Sequence, residues 1–100
     1  MKIGFIGFGE AAFHISSGLG QEGLRGIIAY DAMINDQIMG KQIQSRAAAA
    51  AVTLIGSAKE VVSRVDVLFA AVPSSFTLDV CKEVLGSIRA GQLYIDGSAN

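Results

Sequence analysis

The sequence predicts an α/β domain built as a doubly wound parallel sheet with helices on both faces. Three observations carry that prediction. Five short apolar runs alternate with segments of helical periodicity. The runs are continuous rather than alternating in polarity, as strands buried on both faces require. The first run ends in a glycine-rich turn that leads directly into a helix-like stretch. A β-α-β-α-β-α-β-α-β order with crossover connections folds most simply into one parallel sheet.

Each element has its own local signal. Ile3–Ile6 is the first strand. The helix from Glu10 to about Glu22 carries a stripe of Ala12, Ile15 and Leu19, and Gly23 suits its C-terminal cap. The run 26–30 ("GIIAY") is the second strand. Between Ala32 and Ala51, the residues Ile34, Ile38 and Ile43 indicate a helix that Gly40 weakens. The alanines 47–51 have high helix propensity and run into a third strand at 52–55 ("VTLI"). Ser57-Ala-Lys-Glu60 has the form of a capping box, in which Ser57 accepts an open N–H and Glu60 reaches back. The fourth strand is 66–72 ("DVLFAAV"), closed by Pro73. Ser74 or Ser75 can cap the next helix, whose apolar face is Phe76, Val80, Val84 and Ile88. The run 93–95 ("LYI") is the fifth strand, and the sheet is expected to lack its sixth.

Length and composition set the outer bounds. One hundred residues are enough for one domain, and 51% hydrophobic against 17% charged residues describes a core-rich globular chain. Eight basic residues against nine acidic ones, with no basic stripe, argue against nucleic acid as a partner. A single cysteine builds no disulfide framework and points to a reducing, cytoplasmic setting. The longest apolar stretch, "VDVLFAAV", falls well short of the ~18–20 residues of a membrane span. The N-terminus does not read as a signal peptide, since glycines and Glu10 soon follow Lys2. His14, the one histidine, lacks a partner at a telling spacing and is expected to be structural or partly exposed. Cys81 is expected to be a buried apolar residue, and the two together form no metal cluster. Met33 and Met39 could flank an adenine, with core filler as their default reading.

The stretch "GFGEAA" carries the chemistry. Gly7-Phe8-Gly9-Glu10-Ala11-Ala12 fits a G-x-G-x-x-G/A fingerprint with alanine in the third position. Gly7 permits the tight turn, Gly9 lets a pyrophosphate approach the backbone, and Ala12 lets the helix pack close to the sheet. The helix N-terminus offers unpaired N–H groups and a partial positive charge. Asp31 stands 22 residues beyond Gly9 at the end of the second strand. There a carboxylate can accept hydrogen bonds from the adenosine ribose and repel a 2′-phosphate, which favours NAD over NADP. Glu10 suits the helix dipole and either points to solvent or reaches a ribose or neighbouring loop. A methyltransferase-type turn is a poor fit, because it would carry a carboxylate where this chain has Ile6.

Together "MKIGFIGFGEAA", "YD", "VDVLFAAVPSS" and "YIDGSAN" resemble the β-hydroxyacid dehydrogenase and 6-phosphogluconate dehydrogenase superfamily, and within it the phosphogluconate-dehydrogenase-like branch. The resemblance covers essentially all 100 residues, but only the N-terminal cofactor domain of those enzymes. It implies a Rossmann-type fold and hydride exchange between a nicotinamide cofactor and a β-hydroxy acid or its carbonyl partner. Carried onto this chain, it places Gly7, Phe8, Gly9, Glu10 and Ala12 at the diphosphate, and Asp31 at the ribose. It places Val72, Pro73 and Ser74 beside the nicotinamide, and Ser98 at the substrate carboxylate. Ala99 stands where the family has threonine, and none of Lys2, Lys41, Lys59 or Lys82 matches the family's catalytic lysine. The resemblance therefore implies a cofactor half with no catalytic residue of its own. It further implies a monomeric fragment of a parent that dimerises through a helical C-terminal domain. Two alternatives stand beside it: a pyrroline-5-carboxylate reductase-like domain, whose opening "KIGFIG" looks similar, and a non-catalytic dinucleotide-binding regulatory module.

Overall fold

A computed structural model of the chain describes residues 1–70, 77–87 and 93–96. Five strands, β1 (Ile3–Ile6), β2 (Ile28–Tyr30), β3 (Thr53–Leu54), β4 (Val67–Ala70) and β5 (Leu93–Asp96), form one sheet. Its order is β3-β2-β1-β4-β5, and every pairing is parallel. Four helices alternate with them: α1 (Glu10–Gln21), α2 (Met39–Ala50), α3 (Ala58–Arg64) and α4 (Leu78–Ser87). The chain winds from central β1 out to β3, then crosses back to β4, so strand order reverses between β1 and β4. A ligand crevice forms at such a reversal in open α/β sheets.

The period of two in the strands sorts side chains between the faces. Ile3 and Phe5 of β1, with Val67 and Phe69 of β4, lie under α1, α2 and α4. Phe5 and Phe69 stack with ring centroids 5.2 Å apart. Ala12, Ile15 and Leu19 of α1 fill the same core, as their spacing predicts, together with Ile43, Ala47 and Ala50 of α2 and Cys81 of α4. On the opposite face Val61 of α3, the following Val65, and Leu68 form a second cluster with Ile6, Ile28 and Tyr30 packed against it. Gly4 is what lets α3 sit there. A Cβ on Gly4 would lie 2.7 Å from a methyl of both Val61 and Val65.

Several elements differ from their sequence expectation for definable reasons. Strand β2 starts at Ile28 rather than position 26, because Gly26 has φ +78° and belongs to the preceding turn. Strand β3 is two residues long, at the sheet edge. Gly40 is not a weak point: it lies buried where a Cβ would stand 2.2 Å from the Ile34 carbonyl oxygen. Ile38 is 71% exposed and does not belong to the stripe. Asp36 Oδ2 accepts the N–H groups of Ile38 and Met39 there and opens α2. In α3 only half of the capping box forms. Ser57 Oγ accepts the Glu60 N–H at 3.2 Å, while the Glu60 carboxylate pairs with Arg64 one turn on. On α4 Leu78, Cys81 and Leu85 pack inward, and Val80 of the expected face is 40% exposed. Thr77 Oγ1 accepts the Val80 N–H at its start. Ser74, Ser75 and Phe76 lie outside the described residues, as do the side chains of Val84 and Ile88.

The ends of α1 and α2 follow expectation. Gly23, at φ +98°, donates to the Gly20 carbonyl and Leu24 to the Leu19 carbonyl, both at 3.0 Å, closing α1 in a Schellman motif. The alanine run ends α2 with Ala51 left-handed and Val52 turning into β3. Among the described residues no helix is long and apolar enough to cross a membrane.

Ser16 breaks the apolar inner face of α1. It is fully buried, and its Oγ has no hydrogen-bond partner among the described residues. An unmet buried hydroxyl costs about 1–3 kcal/mol, and alanine is the better helix former. Ser16→Ala is therefore expected to raise the unfolding free energy by about 1–2 kcal/mol, read from urea denaturation. A loss of stability would mean that the hydroxyl does find a partner.

Candidate functional site

The site grows from the way β1 ends. After Ile6 the chain turns through Gly7 at φ +89°, a region closed to most side chains. Two hydrogen bonds tie the turn to the end of β2: Gly7 N–H donates to the Tyr30 carbonyl at 2.7 Å, and Phe8 N–H donates to Asp31 Oδ2 at 2.7 Å. The second carboxylate oxygen, Oδ1, accepts Met33 N–H at 2.9 Å. The Phe8 ring points the other way, fully buried and edge-on to Phe5 at 6.1 Å between centroids. Gly9 then caps α1 in an extended conformation (φ −84°, ψ −163°) with no side-chain hydrogen bond over the helix end. Its carbonyl accepts Phe13 N–H at 3.0 Å.

Gly9 has no internal reason to be glycine. Its φ is one any residue adopts, and a Cβ built on it meets nothing within 4 Å among the described residues. Among the described residues, open space therefore stands over a helix N-terminus with no side-chain cap, where the first N–H groups have no intrahelical partner. That is the geometry a diphosphate needs, and the residues present fit it. Ala12 is 3% exposed against the core, so the third fingerprint position does its expected packing.

The remaining candidates separate. Glu10 is exposed in the first turn of α1. Asp31 is half-buried beside the turn, and each of its oxygens retains a lone pair for a further donor. Phe8 can offer a ligand no side chain and no free N–H, so its part in the site is to anchor the turn. Tyr30, Ile6, Ala70 and Asp96 pair across β2, β1, β4 and β5, which aligns the strand ends along one edge. Val72, Pro73, Ser74 and Ser98 lie outside the described residues. His14 is exposed, its ring beside that of Phe13. Met33 and Met39 are 47% and 38% exposed, not core filler, because no layer covers the segment after Asp31. A cleft of roughly 510 Å³ lies at the other end of the strands, where β1 and β2 begin, between Lys2, Ile28, Arg64 and Val65. The Arg64 guanidinium there is already paired with Glu60, and the cleft is remote from the turn.

Residues 2–100 match the model of the family described as NADP oxidoreductase, coenzyme F420-dependent. The chain belongs to this family. It is an NAD(P)-binding, oxidoreductase-like domain. A solved conserved hypothetical protein from Sinorhizobium meliloti 1021 is similar at 31% identity and a TM-score of 0.66, over 96% of this chain and 32% of that one. An imine reductase from Pseudomonas sp. shares the fold at 16% identity and a TM-score of 0.57, over 95% of this chain and 31% of that one. The chain thus spans under a third of either protein's length. No curated protein matches it. Family membership is broader than the dehydrogenase branch that the motifs resemble and does not select it.

The buried Cys81 thiol lies outside this chemistry. Burial pushes its pKa up from 9.0 to about 11, which keeps it protonated and unreactive. The neutral thiol is favoured in the folded state, so its contribution is fully present below about pH 9. It is lost as pH rises towards 11, because only the unfolded chain then releases the proton. Stability is expected to fall by about 2–3 kcal/mol across that window. Cys81→Ala, compared in urea denaturation at both ends, should lack this part of the fall.

Proposed function

We propose that the chain is the cofactor-binding part of an NAD(P)-dependent oxidoreductase acting on a β-hydroxy acid or a related carbonyl substrate. The observation that carries the cofactor reading is the latched turn, with Gly9 open over an uncapped helix end and Asp31 beside it. A bound nicotinamide supplies the hydride chemistry; the protein supplies the orientation. NAD is preferred over NADP. The Asp31 carboxylate beside the turn would repel a 2′-phosphate, and positions 32–40 hold no lysine or arginine to receive one. The acid substrate rests on Asp96-Gly97-Ser98, with Ser98 as the carboxylate donor. None of the four lysines matches the catalytic lysine that the resemblance implies, and Lys82 pairs with Glu22 at 3.1 Å beyond the far end of α1. The chain by itself is therefore expected to bind cofactor without turnover.

Calorimetric titration with NADH and NADPH tests this. NADH should bind at least about tenfold more tightly than NADPH, a difference of about 1.4 kcal/mol. Binding of neither at millimolar concentration overturns the cofactor reading. The opening "KIGFIG" and the family itself also fit a pyrroline-5-carboxylate reductase-like domain that reduces a cyclic imine. Amide shifts of positions 96–98 in the NADH-loaded chain on adding a cyclic imine acid, but not a β-hydroxy acid, would select that reading.

A further inference from the structure

We propose that Asp31 is a positioning residue for the diphosphate turn, in addition to any contact it makes with the ribose. The inference rests on the cofactor reading above. Two consecutive residues at the end of β2 hold the turn, Tyr30 through its carbonyl and Asp31 through Oδ2, each at 2.7 Å from its donor. The Asp31 bond is charge-assisted and therefore the stronger of the two. The carboxylate is itself fixed, because Oδ1 takes Met33 N–H and the Asp31 carbonyl takes Ile34 N–H at 3.1 Å.

The position of this bond gives it leverage. Phe8 is flanked by Gly7 and Gly9, residues whose backbones lose the most freedom on ordering. The Phe8 ring is seated in the core, but a ring alone leaves the adjoining peptide planes able to rotate. With its N–H committed to Asp31, the peptide between Gly7 and Phe8 is set, and Gly9 and the first turn of α1 are presented outward. The donors left for the diphosphate are then those from Gly9 onward. Asp31 thus prepares the phosphate site before any ligand arrives. Exchanging this acid to admit a 2′-phosphate would loosen the turn and weaken both cofactors.

An NADH analogue lacking both adenosine ribose hydroxyls separates the two roles, since it cannot donate to Asp31. Losing a hydrogen bond to a charged group is expected to weaken binding by about 10- to 100-fold. Asp31→Ala should therefore lower affinity for the analogue at least about tenfold, while exchange at the β1 amide of Phe5 stays slow. In the cofactor-free chain, the Phe8 amide should exchange at least about tenfold faster in Asp31→Ala than in the wild type. Asp31→Asn, which keeps the volume and one acceptor oxygen, should lie between the two and carries the test if the alanine variant does not fold. Unchanged affinity for the analogue with weakened NADH would show that Asp31 acts through the ribose alone, and would overturn the proposal. If the wild type binds neither ligand, the cofactor reading fails, and Phe8 exchange alone decides whether the latch exists.

Discussion

Phe8→Ala is expected to lower the unfolding free energy by about 3–5 kcal/mol, the range for truncating a buried phenylalanine. Phe8 occupies a loop position between two glycines, where side chains ordinarily face water. Here the ring is fully buried, edge-on to Phe5, which stacks in turn on Phe69 of β4. Removing it leaves a cavity at the junction of β1, α1 and the sheet, and the flanking backbone is held by hydrogen bonds that resist collapse. A domain with about 5–15 kcal/mol of total stability is brought close to unfolding by such a loss. Phe8→Leu, which refills most of the volume, should recover more than half of it. Urea denaturation of the three proteins checks the prediction. A loss under about 1 kcal/mol in the alanine variant would mean the ring is not packed.

The contrast between Phe8 and Asp31 shows where sequence reading works for this fold. Asp31 is found from its spacing to Gly9, because a β-α-β unit of this length brings the end of β2 beside the first turn. The parallel sheet and the inward face of α1 follow likewise from short-range periodicity, whereas α2 turns Ile43, Ala47 and Ala50 inward and leaves Ile38 exposed. The fingerprint places Phe8 with the ligand-contacting residues because that position is part of the turn. What decides its direction is the Phe5–Phe69 stack, assembled from strands more than sixty residues apart. The same competition explains α4. Val80 has helical spacing with its apolar neighbours, but so do Leu78, Cys81 and Leu85, and only contact with α1 and the sheet turns these three inward and leaves Val80 exposed. Glu60 had two acceptable partners in the sequence, the Ser57 backbone and Arg64, and the charged one wins. The bond from Phe8 to Asp31 could have been suspected from one clue: a carboxylate that lines a turn of small residues will find the nearest free N–H.

Gly9→Ser is expected to move folding and cofactor binding in opposite directions. Gly9 is the N-cap of α1, with extended backbone and no side-chain cap, and a Cβ there meets nothing within 4 Å among the described residues. Serine fits that conformation, can accept an open N–H of the first turn, and loses less backbone entropy on folding than glycine. The fold should gain about 0.5–1 kcal/mol. The same hydroxyl fills the space over the helix end and satisfies a donor that the diphosphate would otherwise use. NADH affinity should then fall at least about tenfold, and about 100-fold if the phosphate must retreat from two N–H groups at roughly 1.4 kcal/mol each. Thermal unfolding and calorimetric titration of the one variant read both effects. A stabilised variant with unimpaired NADH binding would mean that Gly9 serves no ligand. A destabilised one would mean that its glycine serves the fold after all, and the open space above α1 would lose its meaning as a site.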